Sequence, residues 1–247
     1  MKYTALMIVF NLIIFGCSQV FSAGHPDHWS DYQSTDNAGQ SSLFSWTFDN
    51  TKTGKLPFGW QAQGTNQQGP VATWTVKADD SRPSGSKVLA LTNAHEGHGS
   101  TFNLCWTDRL EFGDGAINVK IKRDSGSIDQ GGGIVWRVQN QDNYYVVRWN
   151  PLEDNFRFYC VVDGERKQLA SAQVKADPEK WHSMRIEQMG AEIKCFFDDI
   201  MLMNLRDSTF PAPGGAGVWT KADATTAFDN FEVRGWSSSH SQKDDAP

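Results

Sequence analysis

Between Ile134 and Cys160 the chain concentrates side chains that can hydrogen-bond and stack. Ile134, Trp136 and Val138 alternate with Val135, Arg137 and Gln139. After Asn140-Gln141-Asp142-Asn143, the residues Tyr145, Val147 and Trp149 alternate with Tyr144, Val146, Arg148 and Asn150. Beyond the Pro151-to-Asp154 turn, Phe156, Phe158 and Cys160 alternate with Asn155, Arg157 and Tyr159. Successive side chains on a strand point to opposite faces, so Arg137, Tyr144, Arg148, Asn150, Asn155, Arg157 and Tyr159 are predicted to share one sheet surface. Planar donors for hydroxyl pairs beside aromatic rings for the apolar sugar face are what a saccharide needs. A solvated face of Arg and Tyr is the plainer alternative. Three Arg without matched acids on adjacent strands ask for an external acceptor, and the guanidinium fork suits a sugar carboxylate or sulfate.

Other chemistry is thin. Glu153 and Asp154 sit at the turn beside this surface and are the best acid/base candidates, but neighbouring residues on a strand point apart and cannot serve one bond together. His95-Glu96-Gly97-His98 is one residue short of a zinc-protease signature, and the glycines flanking His98 break the helix that signature needs. Gly131-Gly132-Gly133 enters a strand with no helix behind it, so it is not a phosphate loop. No nucleophile elbow occurs. Cys105, Cys160 and Cys195 are an odd set, and the last two alternate with apolar residues. That spacing predicts buried thiols, with one disulfide plus a free thiol as the other reading.

The elements that must carry these groups are strands. The 247 residues include 22 Gly, 10 Trp, 15 Phe and 5 Tyr, which suits short strands and tight turns. Further period-two runs occur at Trp74–Ala78, Lys87–Thr92, Ser100–Trp106, Ala116–Arg123, Trp181–Gln188, Glu192–Phe197, Ile200–Leu205, Gly217–Thr220 and Phe228–Arg234. About a dozen short strands at regular turn spacing predict an all-β, two-sheet antiparallel jelly-roll sandwich in a single domain, residues 43–234. The formal charge of −6 counts against nucleic acid or an anionic membrane as partner.

Lys2 followed by the apolar run Leu6–Phe15 reads as a secretory signal over residues 1–16, too short for the ~20 residues of a membrane span. Ile14-Phe15-Gly16-Cys17 resembles a bacterial lipoprotein box, which would anchor the chain through a lipid at Cys17; ordinary cleavage near Ser18 or Ala23 is the alternative. Residues 17–42 are a polar tether and 235–247 a soft tail. The expected location is secreted or cell-envelope. Nothing in the sequence specifies an oligomeric state.

The segments GGGIVWRVQNQDNYYVVRWNPLEDNFRFYCVVDGERKQL, KWHSMRIEQMGAEIKCFFDDIMLMN and GGAGVWTKADATTAFDNFEV together resemble the concanavalin A-like lectin/glucanase superfamily. Within it they are most similar to the bacterial 3-keto-disaccharide hydrolase-like domain, with laminin-G-type jelly rolls next. The resemblance implies a saccharide or polysaccharide partner on a concave sheet face, with Trp219, Lys221 and Asp223 near the groove. It implies a structural Ca²⁺, with Asp49 and Asp229 as oxygen ligands, and no other cofactor. Glucanases of the superfamily carry Glu-x-Asp-x-x-Glu, two carboxylates about 5–5.5 Å apart; here Glu192-Ile193-Lys194 has Lys where the middle acid belongs. The expectation is therefore a carbohydrate-binding jelly roll. The alternatives are a glycoside-cleaving enzyme acting on 3-keto sugars, with Glu153 or Asp223 as single base and Arg148 or Lys221 as stabiliser, or a cell-envelope interaction module.

Overall fold

The computed structural model describes residues 42–95 and 99–236. The expected signal, Cys17, the tether to residue 41, residues 96–98 and the tail from 237 lie outside the described residues. Fifteen strands run in order: β1 (Leu43–Trp46), β2 (Trp60–Thr65), β3 (Thr73–Ala78), β4 (Lys87–Asn93), β5 (Phe102–Phe112), β6 (Gly115–Ser125), β7 (Gly132–Asn140), β8 (Asn143–Asn150), β9 (Asn155–Val162), β10 (Glu165–Gln173), β11 (His182–Met189), β12 (Glu192–Phe197), β13 (Ile200–Arg206), β14 (Gly214–Lys221) and β15 (Thr225–Gly235).

They form two antiparallel sheets. One has the order β13-β12-β11-β6-β15-β4-β3, with β1 also pairing β15. The other has the order β10-β9-β8-β7-β14-β5-β2. Alternation of buried and half-buried residues over 115–122 of β6 and 182–188 of β11 marks a sheet with one covered face. The main core lies between the sheets, where Trp136, Tyr145, Trp149 and Phe158 of one sheet meet Met184, Ile186, Phe228 and Phe231 of the other. Trp136 stacks on Phe158 at 5.4 Å. Each such fully buried apolar side chain contributes roughly 1.5–3 kcal/mol.

The seven-stranded sheet differs from an apolar-in, polar-out pattern. Its inward residues, Tyr145, Val147, Trp149, Phe156, Phe158 and Cys160, are those the alternation predicts. Its other face carries a second apolar cluster that includes Leu104, Trp106, Val135, Tyr144, Val146, Tyr159 and Trp219. Arg148, Asn150, Asn155 and Arg157 gather at one end of that face, where β8 and β9 approach their shared turn. Three strands lie outside the period-two runs read from the sequence. β1 is only four residues long, β2 (WQAQGT) has weak strand formers, and β10 is a half-exposed edge whose pattern is interrupted by a register shift between Gln168 and Ala170. Pairing with β15, β5 and β9 holds them in place.

Arg137 is not on the shared surface. The β7 register shifts between Trp136 and Asn140, and Arg137 adopts φ +47. That bulge turns its side chain toward the end of the sandwich, where it donates to the carbonyls of Gly113, Phe210 and Gly190 and to the Asp114 carboxylate. Against β14 one extra residue sits between Trp136 and Val138; such a bulge reverses every facing downstream of it, and no period-two count contains it.

Candidate functional site

At the polar end of the seven-stranded sheet's outer face, β8 presents Arg148 and Asn150, and β9 presents Arg157 and Asn155 directly opposite. The β8–β9 turn supplies Glu153 and the end of β14 supplies Lys221. Asp129 comes from the loop before β7. Arg148, only 1% exposed, bridges two carboxylates: Nη1 donates to Asp129 Oδ2 at 3.2 Å and Nη2 to Glu153 Oε2 at 3.3 Å. Asp129 also accepts from Asn150 Nδ2 at 3.2 Å and pairs with Lys221 Nζ at 3.2 Å. Glu153 Oε2 accepts from Asn155 Nδ2 at 2.7 Å and Arg157 Nη1 at 2.9 Å. Burial acts to raise the Glu153 pKa, but the Asn155 hydrogen bond and the charges of Arg148, Arg157 and Lys221 outweigh it and hold the carboxyl below its usual range.

The acids that sequence reasoning found missing beside the Arg are therefore present. Asp129 was overlooked because it lies in a Ser/Gly loop rather than on a strand. That loop is built to deliver it. Gly126 (φ +144) and Gly131 (φ +72) make the bends, and a Cβ at either would lie 1.9 Å from the Asp129 carbonyl or 2.3 Å from that of Trp149. Asp223 holds the loop from below. Its carboxylate accepts from the backbone N–H groups of Ser127, Ile128 and Asp129 and from Ser127 Oγ. Burial opposes this ionisation, yet those hydrogen bonds bring the Asp223 pKa down to about 2. The chemistry of Asp223 is thus anchoring, with its lone pairs committed to the loop.

Tyr144 and Trp219 lie in the outer apolar cluster, both fully buried. Thr65 Oγ1 donates to the Gln141 carbonyl, so the Tyr144 hydroxyl, 2.8 Å away, donates to Thr65. Trp219 Nε1 in turn donates to the Tyr144 hydroxyl at 3.2 Å. Burial pushes the Tyr144 pKa well up. Arg166 of β10, unsuspected from the sequence, reaches over this floor, its guanidinium 4.3 Å from the Tyr159 ring centre and 5.0 Å from that of Phe102.

Asp49 and Asp229 come near each other at the opposite, eight-stranded sheet. Burial, with the Asp49 charge adding to it, lifts the Asp229 pKa to about 6 against hydrogen bonds from Asn230 and Ser84. Asp49 accepts from Ser86 N, Ser86 Oγ and Lys87 N. Among the described residues no third His, Cys, Asp or Glu joins them. The carbonyls of Asp49 and Thr51 accept from the Lys87 ammonium. Calcium takes six to eight oxygens, and these residues do not make such a shell. Cys105, Cys160 and Cys195 are all buried and free. His95, the described member of the His pair, stands 3.3 Å from Thr73 Oγ1.

Several solved structures share this fold. The carbohydrate-binding module CBM66 from Bacillus subtilis superposes with a TM-score of 0.55 at 20% identity, covering 71% of this chain and 95% of its own. The cellulose-induced protein Cip1 gives 0.57 at 13% identity, covering 76% and 95%. The lumenal domain of VIP36 in its Ca²⁺/mannose-bound form gives 0.50 at 12% identity, covering 75% and 86%. A comparison with curated proteins finds no match. The architecture is thus the concanavalin A-like jelly roll. With residues 41–234 matching the family described as the 3-keto-alpha-glucoside-1,2-lyase-like domain, the chain belongs to that family.

Proposed function

We propose that the chain binds a saccharide at the polar end of the seven-stranded sheet, through Arg148, Asn150, Glu153, Asn155, Arg157 and Lys221. The observation that carries this reading is the Arg148 bridge. A buried guanidinium fixed by Asp129 and Glu153 sets the half-exposed Glu153 and the third-exposed Arg157 as rigid, directional partners for hydroxyl groups. Exposed Ile128 and Leu152 on the two adjoining loops offer apolar contact beside them. The jelly-roll neighbours named as a carbohydrate-binding module and as mannose-bound agree with the reading. The N-terminal apolar run and Cys17 support placing this activity outside the cytoplasm, secreted or lipid-anchored in the envelope. A glycan panel read by thermal shift and titration calorimetry tests it. Arg157→Ala and Lys221→Ala are each expected to weaken the bound glycan about 10-fold with the fold intact; undiminished affinity in both sinks the reading.

The family match favours a second reading, elimination on a 3-keto glycoside. A base takes the C2 proton beside the ketone, the electrons form the C1–C2 double bond as the C1–O bond breaks, and the departing glycosidic oxygen takes that proton back from the base. Glu153 is the base within reach, with Arg148 or Lys221 steadying the enolate. Its depressed pKa makes it a weak base at neutral pH, which favours binding over turnover. Release of free sugar from 3-keto disaccharides that vanishes in Glu153→Gln would reverse that order.

A further inference from the structure

The same cluster carries more positive charge than its own acids neutralise. Arg148, Arg157 and Lys221 meet there around Asp129 and Glu153, and Arg166 lies alongside, stacked on the ring of Tyr159, two residues from Arg157 on β9, and on that of Phe102, which pairs with Lys221. Burial pushes the Arg166 pKa down, so its guanidinium charge is carried in a partly desolvated setting. The acids are already engaged with these cations. Asp129 serves Arg148, Lys221 and Asn150, and one oxygen of Glu153 serves Arg148, Arg157 and Asn155.

The cations, by contrast, have donors to spare. Arg148 Nε, Arg157 Nε and Arg166 Nη1 are buried atoms with no hydrogen-bond partner among the described residues. Asn155, 4% exposed, keeps an unpartnered Oδ1 in their midst. A buried donor without a partner costs about 1–3 kcal/mol, more when charged. Three such atoms on neighbouring cations identify a place where an acceptor belongs.

Water alone would satisfy hydrogen bonds but not the surplus charge. Resting on the saccharide reading above, we infer that the ligand is an acidic saccharide, its carboxylate or sulfate ester held by Arg157, Arg166 and Lys221, with Asn155 Oδ1 accepting from a neighbouring hydroxyl. Carboxylate and sulfate share the chemistry recognised here, a compact anion with several acceptor oxygens. The chain's overall negative charge makes this local field a specific feature, since a non-specific polyanion would be repelled elsewhere on the surface.

Calorimetric titration of the full chain compares a uronic-acid oligosaccharide, a sulfated oligosaccharide and a neutral oligosaccharide of equal length. At least one acidic ligand is expected to bind about 10-fold or more tighter than the neutral one, and to weaken with added salt while neutral binding does not. Which acidic ligand wins separates carboxylate from sulfate. Arg157→Ala is expected to erase the preference, and Glu153→Gln, which removes a competing charge, to strengthen it about threefold. Melting curves of both variants establish that they fold, and the salt dependence needs no variant. Equal affinity for neutral and acidic ligands overturns the acidic assignment and leaves saccharide binding standing. No binding to any of the three overturns both.

Discussion

Arg148 makes its neighbours' positions its own responsibility. One guanidinium, almost without solvent contact, faces Asp129 on one edge and Glu153 on the other. Removing one member of a buried ion pair strands the other, so Arg148→Met is expected to lower unfolding free energy by roughly 3 kcal/mol. Combining it with Asp129→Asn restores part of that loss, read by urea denaturation; a single-variant cost under about 1 kcal/mol contradicts the bridge. Two carboxyls give opposite pH signatures. Asp223 is depressed from 3.8 to about 2, so its contribution is full above 3.8 and lost as pH falls through about 2. Asp223→Asn should therefore be less stable than the parent at pH 7, and the difference should close in acid. Asp229 is raised from 3.8 to about 6, so its contribution is full below 3.8 and lost as pH rises through about 6. Asp229→Asn should gain stability at pH 7 and nothing at pH 3.5. Parallel stability curves for variant and parent would refute either assignment.

At the scale of elements, the β7 bulge separates a structural arginine from the functional ones. Arg137 ties together the β5–β6 turn, the β11–β12 turn and the segment before β14 through three carbonyls and Asp114. Burial pushes its pKa down while Asp114 supports the charge. Arg137→Ala is expected to cost about 2 kcal/mol. Hydrogen exchange should speed up at the amides of Gly190 and Phe210, while saccharide affinity stays unchanged. Weakened glycan binding without loss of stability would return Arg137 to the site. The loop of residues 126–131 is the complementary case, an irregular element whose backbone is fixed by one carboxylate so that Asp129 meets the sheet at a set position.

For the whole molecule, a sheet apolar on both faces sets the division of labour. The inner cluster holds the two sheets together, and the outer cluster, Tyr144 and Trp219 included, gives Arg166 a stiff floor. The thiols belong to that packing. Burial pushes Cys105, Cys160 and Cys195 upward from the ordinary thiol range, so thiol reagents should leave all three unmodified in the native protein and label them on denaturation. Mass spectrometry of labelled peptides reads this directly, and rapid native labelling of any of the three would count against the core.

What the residues determined by themselves was local and periodic. Alternation along Asn143–Asn150 and Asn155–Val162 placed Tyr145, Trp149 and Phe158 inward, and Arg148 and Arg157 together on the other face; the register that sets them directly opposite came from the strand pairing. It also placed the jelly-roll architecture within reach, because side-chain period two is a property of the strand alone. Pairing between distant segments decided the rest. Asp129, Lys221 and Arg148 are far apart in sequence and meet because β14 lies beside β7 and β7 beside β8. The bulge at Arg137 and the carboxylate anchor at Asp223 depend on backbone dihedrals and loop hydrogen bonds with no periodic signature. Charge balance at the site was legible only in three dimensions, since an ion pair is set by distance through space and the sequence records distance along the chain.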